Sequence, residues 1–242
     1  MMPARMIFAA CAALLAAPGG PVGAMGSCAT DAMLVFDGSA SMGEISFNAK
    51  APTRIDDARR AMQRAMPQIA PFRRVGLLVY GPGGDHSCSG IDLRFAPVAD
   101  ASDQVVAEID QLSPNGLTPL AASVRAAAET LDYQKAPGIV VLVTDGNETC
   151  GGRPCALGDD LARRGADLTV HVIGFKVVYD PFSWNSPEAQ GYDGGKTVAK
   201  CLADRTGGMF VSTETVDELA DALKDTLGCA LIGAVARHRL HG

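Results

Sequence analysis

The chain has 242 residues, 48 % hydrophobic and 20 % charged, with 27 acidic against 21 basic side chains. So much apolar material excludes a globally disordered chain, and a net charge of -6 excludes electrostatic binding of nucleic acid, which needs a basic face. The length allows one large domain or two small ones, and the cysteine count of seven is odd.

Residues 1–24 read as a signal peptide. Arg5 precedes an apolar run over 6–17, Pro18-Gly19-Gly20-Pro21 breaks it, and Val22-Gly23-Ala24 puts small residues at the cleavage position. The run falls short of the ~20 apolar residues that a membrane span needs, and no later segment is longer. Cleavage discards Cys11 and leaves six cysteines (28, 88, 150, 155, 201 and 229), an even number suited to three disulfides in an oxidising compartment. None of the usual zinc spacings is present among them.

After Asp31 the chain alternates strand-like and helix-like segments. Residues 32–36 are a continuous apolar run, as in a strand buried on both faces. Residues 53–70 carry Ile55, Ala58, Ala61, Met62, Ala65, Met66 and Ile69 at helical spacing, and Pro71 closes the helix. A second buried strand at 75–80 leads through Gly81-Pro82-Gly83-Gly84 to 91–95, which alternates apolar and polar as an antiparallel edge strand does. Helices are expected at 102–112 and 119–133, then the strongest strand at 139–143, ending in Thr144-Asp145-Gly146. A helix at 154–165, a strand at 168–175, a loop over 177–195 and a helix at 196–206 with the C-cap signal Gly207-Gly208 follow. A strand at 209–211 and a helix at 215–228 complete the series. The pattern implies one domain over 25–230, a mainly parallel sheet covered by helices on both faces, and a tail at 231–242. Ligands of such sheets bind beyond the carboxyl ends of the strands.

The first strand runs into Asp37-Gly38-Ser39-Ala40-Ser41, one carboxylate and two hydroxyls that a tight loop can converge on one point. Hard oxygen donors suit Mg²⁺, Ca²⁺ or Mn²⁺. Alone, D-x-S-x-S is an ordinary turn sequence. Gly116-Leu117-Thr118-Pro119-Leu120 adds a hydroxyl before a helix, where Thr118 is also a plausible N-cap, and Asp145-Gly146 adds a second carboxylate at another strand end.

With these residues the chain resembles the von Willebrand factor type A family. Asp37, Ser39, Ser41, Thr118 and Asp145 match all five positions of that family's metal-ion-dependent adhesion site, and the resemblance covers roughly 29–228. The runs Asp145-Gly146-Asn147-Glu148-Thr149-Cys150 and Leu202-Ala203-Asp204-Arg205-Thr206-Gly207-Gly208 are similar to those of its exported bacterial members. The resemblance implies an α/β fold: a doubly wound, mainly parallel six-stranded sheet with one antiparallel edge strand. It further implies an exported protein, periplasmic or secreted, that binds or scaffolds other proteins. In that role one divalent cation, Mg²⁺ before Mn²⁺ or Ca²⁺, docks an Asp or Glu of a protein partner. The alternatives are a structural or regulatory subunit whose ion serves stability only, and a metal-dependent hydrolase.

Catalysis is not expected. Ser39 and Ser41 are not in a G-x-S-x-G elbow, and the loop at Gly81 lacks the Lys-Ser/Thr of a phosphate-binding loop. His171 reads as a packed core residue of its strand, while His86, His238 and His241 carry no pattern. On the implied fold Cys28 and Cys229 fall together on the face away from the metal loops, so Cys28–Cys229 is the expected disulfide. For Cys88, Cys150, Cys155 and Cys201 two arrangements stay open: Cys150–Cys155 with Cys88–Cys201, or a crossed pairing of Cys150 or Cys155 with Cys88 or Cys201.

Overall fold

In the computed structural model, residues 28–44, 52–83, 87–177, 186–188 and 197–229 are described. The expected signal peptide, most of the 177–195 loop, His86, and the tail with His238 and His241 lie outside them.

The apolar runs become β1 (Ala32–Asp37), β2 (Val75–Tyr80), β4 (Pro137–Thr144) and β5 (Asp167–Phe175), with β3 (Ile91–Val98) and β6 (Phe210–Thr213) at the edges. The strand order is β3-β2-β1-β4-β5-β6, parallel throughout except for β3 against β2. Every residue of β1 and β2 is buried. Side chains alternate across β1, so Leu34 and Phe36 enter one core while Met33 and Val35 enter the other. The first core is closed by α1 (Arg54–Ile69), α2 (Ser102–Asp110) and α6 (Val216–Leu227). The second is closed by α3 (Leu120–Thr130), α4 (Pro154–Arg164) and α5 (Lys200–Thr206). The sheet is therefore doubly wound, as expected.

Differences from the expected boundaries have local causes. β3 runs on to Val98, with register shifts opposite Val75–Leu78, because an edge strand tolerates Pro97 where a central one does not. α1 ends at Ile69, two residues before Pro71, and α5 starts at Lys200. Gly207 takes φ 72°, the left-handed C-cap that its sequence signals.

Cys28–Cys229 is formed, with Cα atoms 5.7 Å apart. The remaining four cysteines adopt the crossed arrangement, Cys88–Cys150 and Cys155–Cys201, and the local Cys150–Cys155 alternative is not used. Cys155 lies in the first turn of α4, which packs along α5 and so faces Cys201, whereas Cys150 sits earlier in that loop, against the β2–β3 connection. His171 is corrected too. It is half-buried rather than packed in the core, and its Nδ1 accepts the Met209 N–H at 3.0 Å.

Candidate metal centre

Because β1 and β4 are parallel neighbours in register Phe36↔Val143, Asp37 and Asp145 emerge side by side at their carboxyl ends. Both are buried. Asp37 Oδ1 accepts the Ser39 N–H at 2.8 Å and the Ser39 hydroxyl at 2.6 Å. The Ser39 and Ser41 hydroxyls lie 3.1 Å apart, and Ser41 donates to Asp145 Oδ1 at 2.7 Å. Asp37, Ser39, Ser41 and Asp145 thus form one unbroken chain of hydrogen-bonded oxygens across two strand ends.

Thr118 arrives by a different route. Its loop is sewn to the first by Ala40 N–H to Gly116 O (3.2 Å) and Asn115 N–H to Gly38 O (2.9 Å). Thr149 then grips its backbone from both sides, accepting the Thr118 N–H at 2.8 Å and donating its own N–H to the Thr118 carbonyl at 3.1 Å. Thr118 is not the N-cap of α3. Glu148, fully buried, serves that helix end: Oε2 accepts the Ala121 N–H and Oε1 the Cys150 N–H, each at 2.8 Å. Burial holds the Glu148 carboxyl above its ordinary pKa, opposed by the backbone N–H groups around it. Thr118 is itself 5 % exposed, and among the described residues its hydroxyl meets no hydrogen-bond partner. The structure shows no direct bond between Thr118 and the other four.

Several supporting residues were not singled out by sequence reasoning. Thr144, at the end of β4, donates to Asp37 Oδ2 at 2.8 Å and accepts from the Tyr80 hydroxyl at 3.0 Å, so a buried hydroxyl relay orients Asp37 from below. Burial, then the Asp37 charge, push the Tyr80 phenol up, keeping it a donor. Gly81 takes φ 103°, and a Cβ there would lie 2.4 Å from the Ser39 nitrogen. Only glycine lets the chain leaving β2 pass beneath the metal loop. Glu148 and Thr149 lie inside a run that the sequence does flag, but their roles depend on where the α3 end falls. Asn147 of the same run accepts the Val198 N–H at 3.3 Å, tying this loop to the approach to α5.

Electrostatically the site is short of positive charge. Burial, and then the neighbouring Asp37 carboxylate, raise the Asp145 pKa to about 7, opposed by the Ser41 hydroxyl and by Arg54. A divalent cation would relieve that repulsion, and every donor it would meet is oxygen, the set that hard cations take. The Thr118 hydroxyl, left without a partner among the described residues, would be a further oxygen donor. Among the described residues no cluster of three or more His, Cys, Asp and Glu side chains is gathered to hold a metal, so the hydroxyl-rich set is the candidate.

Comparison with known proteins agrees with the fold. Residues 32–148 match the von Willebrand factor type A domain family. The uncharacterized protein YwmD of Bacillus subtilis is 26 % identical over 202 residues, covering 80 % of this chain and 83 % of that protein. The pilus adhesin SpaC from Lactobacillus rhamnosus GG superimposes with a TM-score of 0.59 at 14 % identity, over 82 % of this chain and 30 % of the adhesin. A proximal thread matrix protein from the mussel byssus, solved with a zinc-occupied MIDAS motif, gives 0.54 at 17 % identity, over 84 % of this chain and 45 % of that protein. At these identities the two structures speak for the fold alone.

Proposed function

The chain carries a von Willebrand factor type A domain, and on that premise we propose that it is an exported adhesion or scaffolding module that grips a protein partner through a divalent cation. Asp37, Ser39, Ser41, Thr118 and Asp145 would hold the ion, Mg²⁺ in the first place, with Mn²⁺ and Ca²⁺ as its rivals. When bound, the ion supplies a positive charge at which an Asp or Glu of the partner docks, which reconciles an acidic domain with an acidic ligand. Asp37 and Asp145 neutralise the charge, Ser39 and Ser41 offer hydroxyls from one turn, and Thr118 offers one from a separate loop. The observation that carries the reading is the unbroken oxygen chain from Asp37 to Asp145, with the buried Thr118 hydroxyl left unspent on a loop that is hydrogen-bonded to the Ser39 turn. Export is supported by the three disulfides, which persist in oxidising compartments.

We assign the site no reaction. His171, the histidine among the described residues, lies mid-strand in β5 with its Nδ1 engaged by the Met209 N–H, so it supplies no base at the strand ends. Among the described residues no helix is long and apolar enough to cross a membrane.

Calorimetric titration with MgCl₂ tests the first half of the reading. The wild type should bind one ion, and Asp37→Ala should abolish the heat while leaving a folded protein. Affinity capture from envelope extracts, with Mg²⁺ and with EDTA, tests the second half. Partners retained only with Mg²⁺ and only by the wild type support docking. Capture unaffected by EDTA, together with a lower melting temperature, would turn the reading into one of an ion that serves stability.

A further inference from the structure

One cation already stands at the metal site. Arg54 is the first residue of α1, fixed just behind a capping box in which Thr53 and Asp56 each take the other's backbone N–H. From there its Nη1 reaches the Ser41 carbonyl at 2.8 Å, Glu44 at 3.0 Å and Asp145 Oδ2 at 3.2 Å. The side chain is 16 % exposed, and the Asp145 side chain that it meets is fully buried. One guanidinium therefore bridges the turn that carries Ser41 and a proposed ligand on another strand end. The two halves of the site come together around it.

We propose that Arg54 is a tethered competitor of the divalent ion: its guanidinium balances Asp145 in the metal-free protein and must release Asp145 Oδ2 for a metal to be held. The inference rests on the metal-site reading above and adds what sets the affinity of that site. Two positive groups drawn to one carboxylate repel each other, and at a partly buried site that repulsion is only weakly screened. Arg54 cannot lose its charge, because a guanidinium stays protonated. The competition is therefore permanent, and it confines metal loading to surroundings rich in divalent cation. A guanidinium that has left Asp145 but still holds the Ser41 carbonyl keeps a second positive charge beside the docking point, where an acidic side chain would arrive.

A purely structural Arg54 and a competing one predict opposite results. If Arg54 merely pins the Ser41 turn, Arg54→Gln loosens the site and weakens Mg²⁺ binding. If it competes, Arg54→Gln tightens Mg²⁺ binding, by about tenfold for one close charge removed. The same variant should lower the melting temperature of the EDTA-treated protein, since Asp145 loses its counter-charge, and widen the rise in melting temperature on adding MgCl₂. Arg54→Lys keeps the charge without the planar fork and should bind Mg²⁺ as weakly as the wild type. Equal or weaker affinity in Arg54→Gln while the wild type binds Mg²⁺, or an Arg54→Lys that binds as tightly as Arg54→Gln, overturns the inference and leaves the metal site standing. Absence of Mg²⁺ binding in the wild type and Arg54→Gln alike removes both. Binding by Arg54→Gln alone supports both.

Discussion

The two ends of the sheet solve the same problem in opposite ways. At the amino ends, Arg73 is buried and donates to the carbonyls of Thr30, Leu227 and Gly228, while the Cys28 N–H meets the Phe72 carbonyl and Cys28–Cys229 clamps both termini. One charge is spread over neutral acceptors there, and the end is closed. At the carboxyl ends the guanidinium of Arg54 meets only one of two buried carboxylates, Asp145, and the buried Thr118 hydroxyl is left over. That end is held together under unbalanced negative charge. Stability and the proposed binding thus sit at opposite poles of the same strands and should be separable by mutation.

The largest effect belongs to the closed pole. Replacing Cys28 and Cys229 by serine should cost about 5 kcal/mol in the loop-entropy account, since the bridge joins residues 201 apart. Denaturant melts should show that loss while the Mg²⁺ affinity measured by calorimetry stays put; a parallel fall in affinity would break the separation. Arg73→Met strands three carbonyls and should cost about 3 kcal/mol, again without touching the ion. At the open pole the order reverses. Gly81→Ala forces a side chain against Ser39 at a φ that disfavours it and should cost about 2 kcal/mol. Its mark should be a Mg²⁺ affinity about 10–100-fold weaker, as is usual when support behind a ligand is lost. Thr149→Val removes the hydroxyl that accepts the Thr118 N–H at near-constant volume, for about 1 kcal/mol of stability and about tenfold in affinity.

Acid is the mildest probe and falls between the poles. Burial holds the His171 imidazole below its ordinary value of 6.5, so the folded state prefers the neutral ring that accepts from Met209. Its contribution is full above that ordinary value and is lost as the pH falls through the lowered one. Below pH 6 the melting temperature of the wild type should fall by a small margin relative to that of His171→Gln, a difference in which the raised carboxyls of Asp145 and Glu148 cancel.

The strands could be read from the sequence because the middles of β1, β2 and β4 are buried on both faces and form continuous apolar runs. Of the five proposed donors, Asp37, Ser39 and Ser41 share one turn and Asp145 follows another strand, which is a local pattern; Thr118, before a helix, is joined to them only by the resemblance to the family. The residues behind them could not be read. Thr144 and Asp37 lie 107 positions apart, Arg54 and Asp145 lie 91 apart, and Thr118 and Thr149 lie 31 apart. None of these pairs is fixed until the strand order is. Thr118 shows the limit most clearly. By sequence it reads equally as a helix cap, and it is relieved of that duty only because Glu148, from the next strand's loop, takes the end of α3.

By itself the sequence determined the doubly wound sheet and the donor types at the strand ends, because burial and hydroxyl chemistry are written in residue type and order, and on that fold it pointed to Cys28 with Cys229, which the structure pairs. Only the tertiary structure decided that Cys88 meets Cys150 and Cys155 meets Cys201, that Gly81 underlies Ser39, and that Arg54 faces Asp145. Those contacts join loops from different strands, and their partners are chosen by the packing of the whole sheet and not by any local stretch of chain.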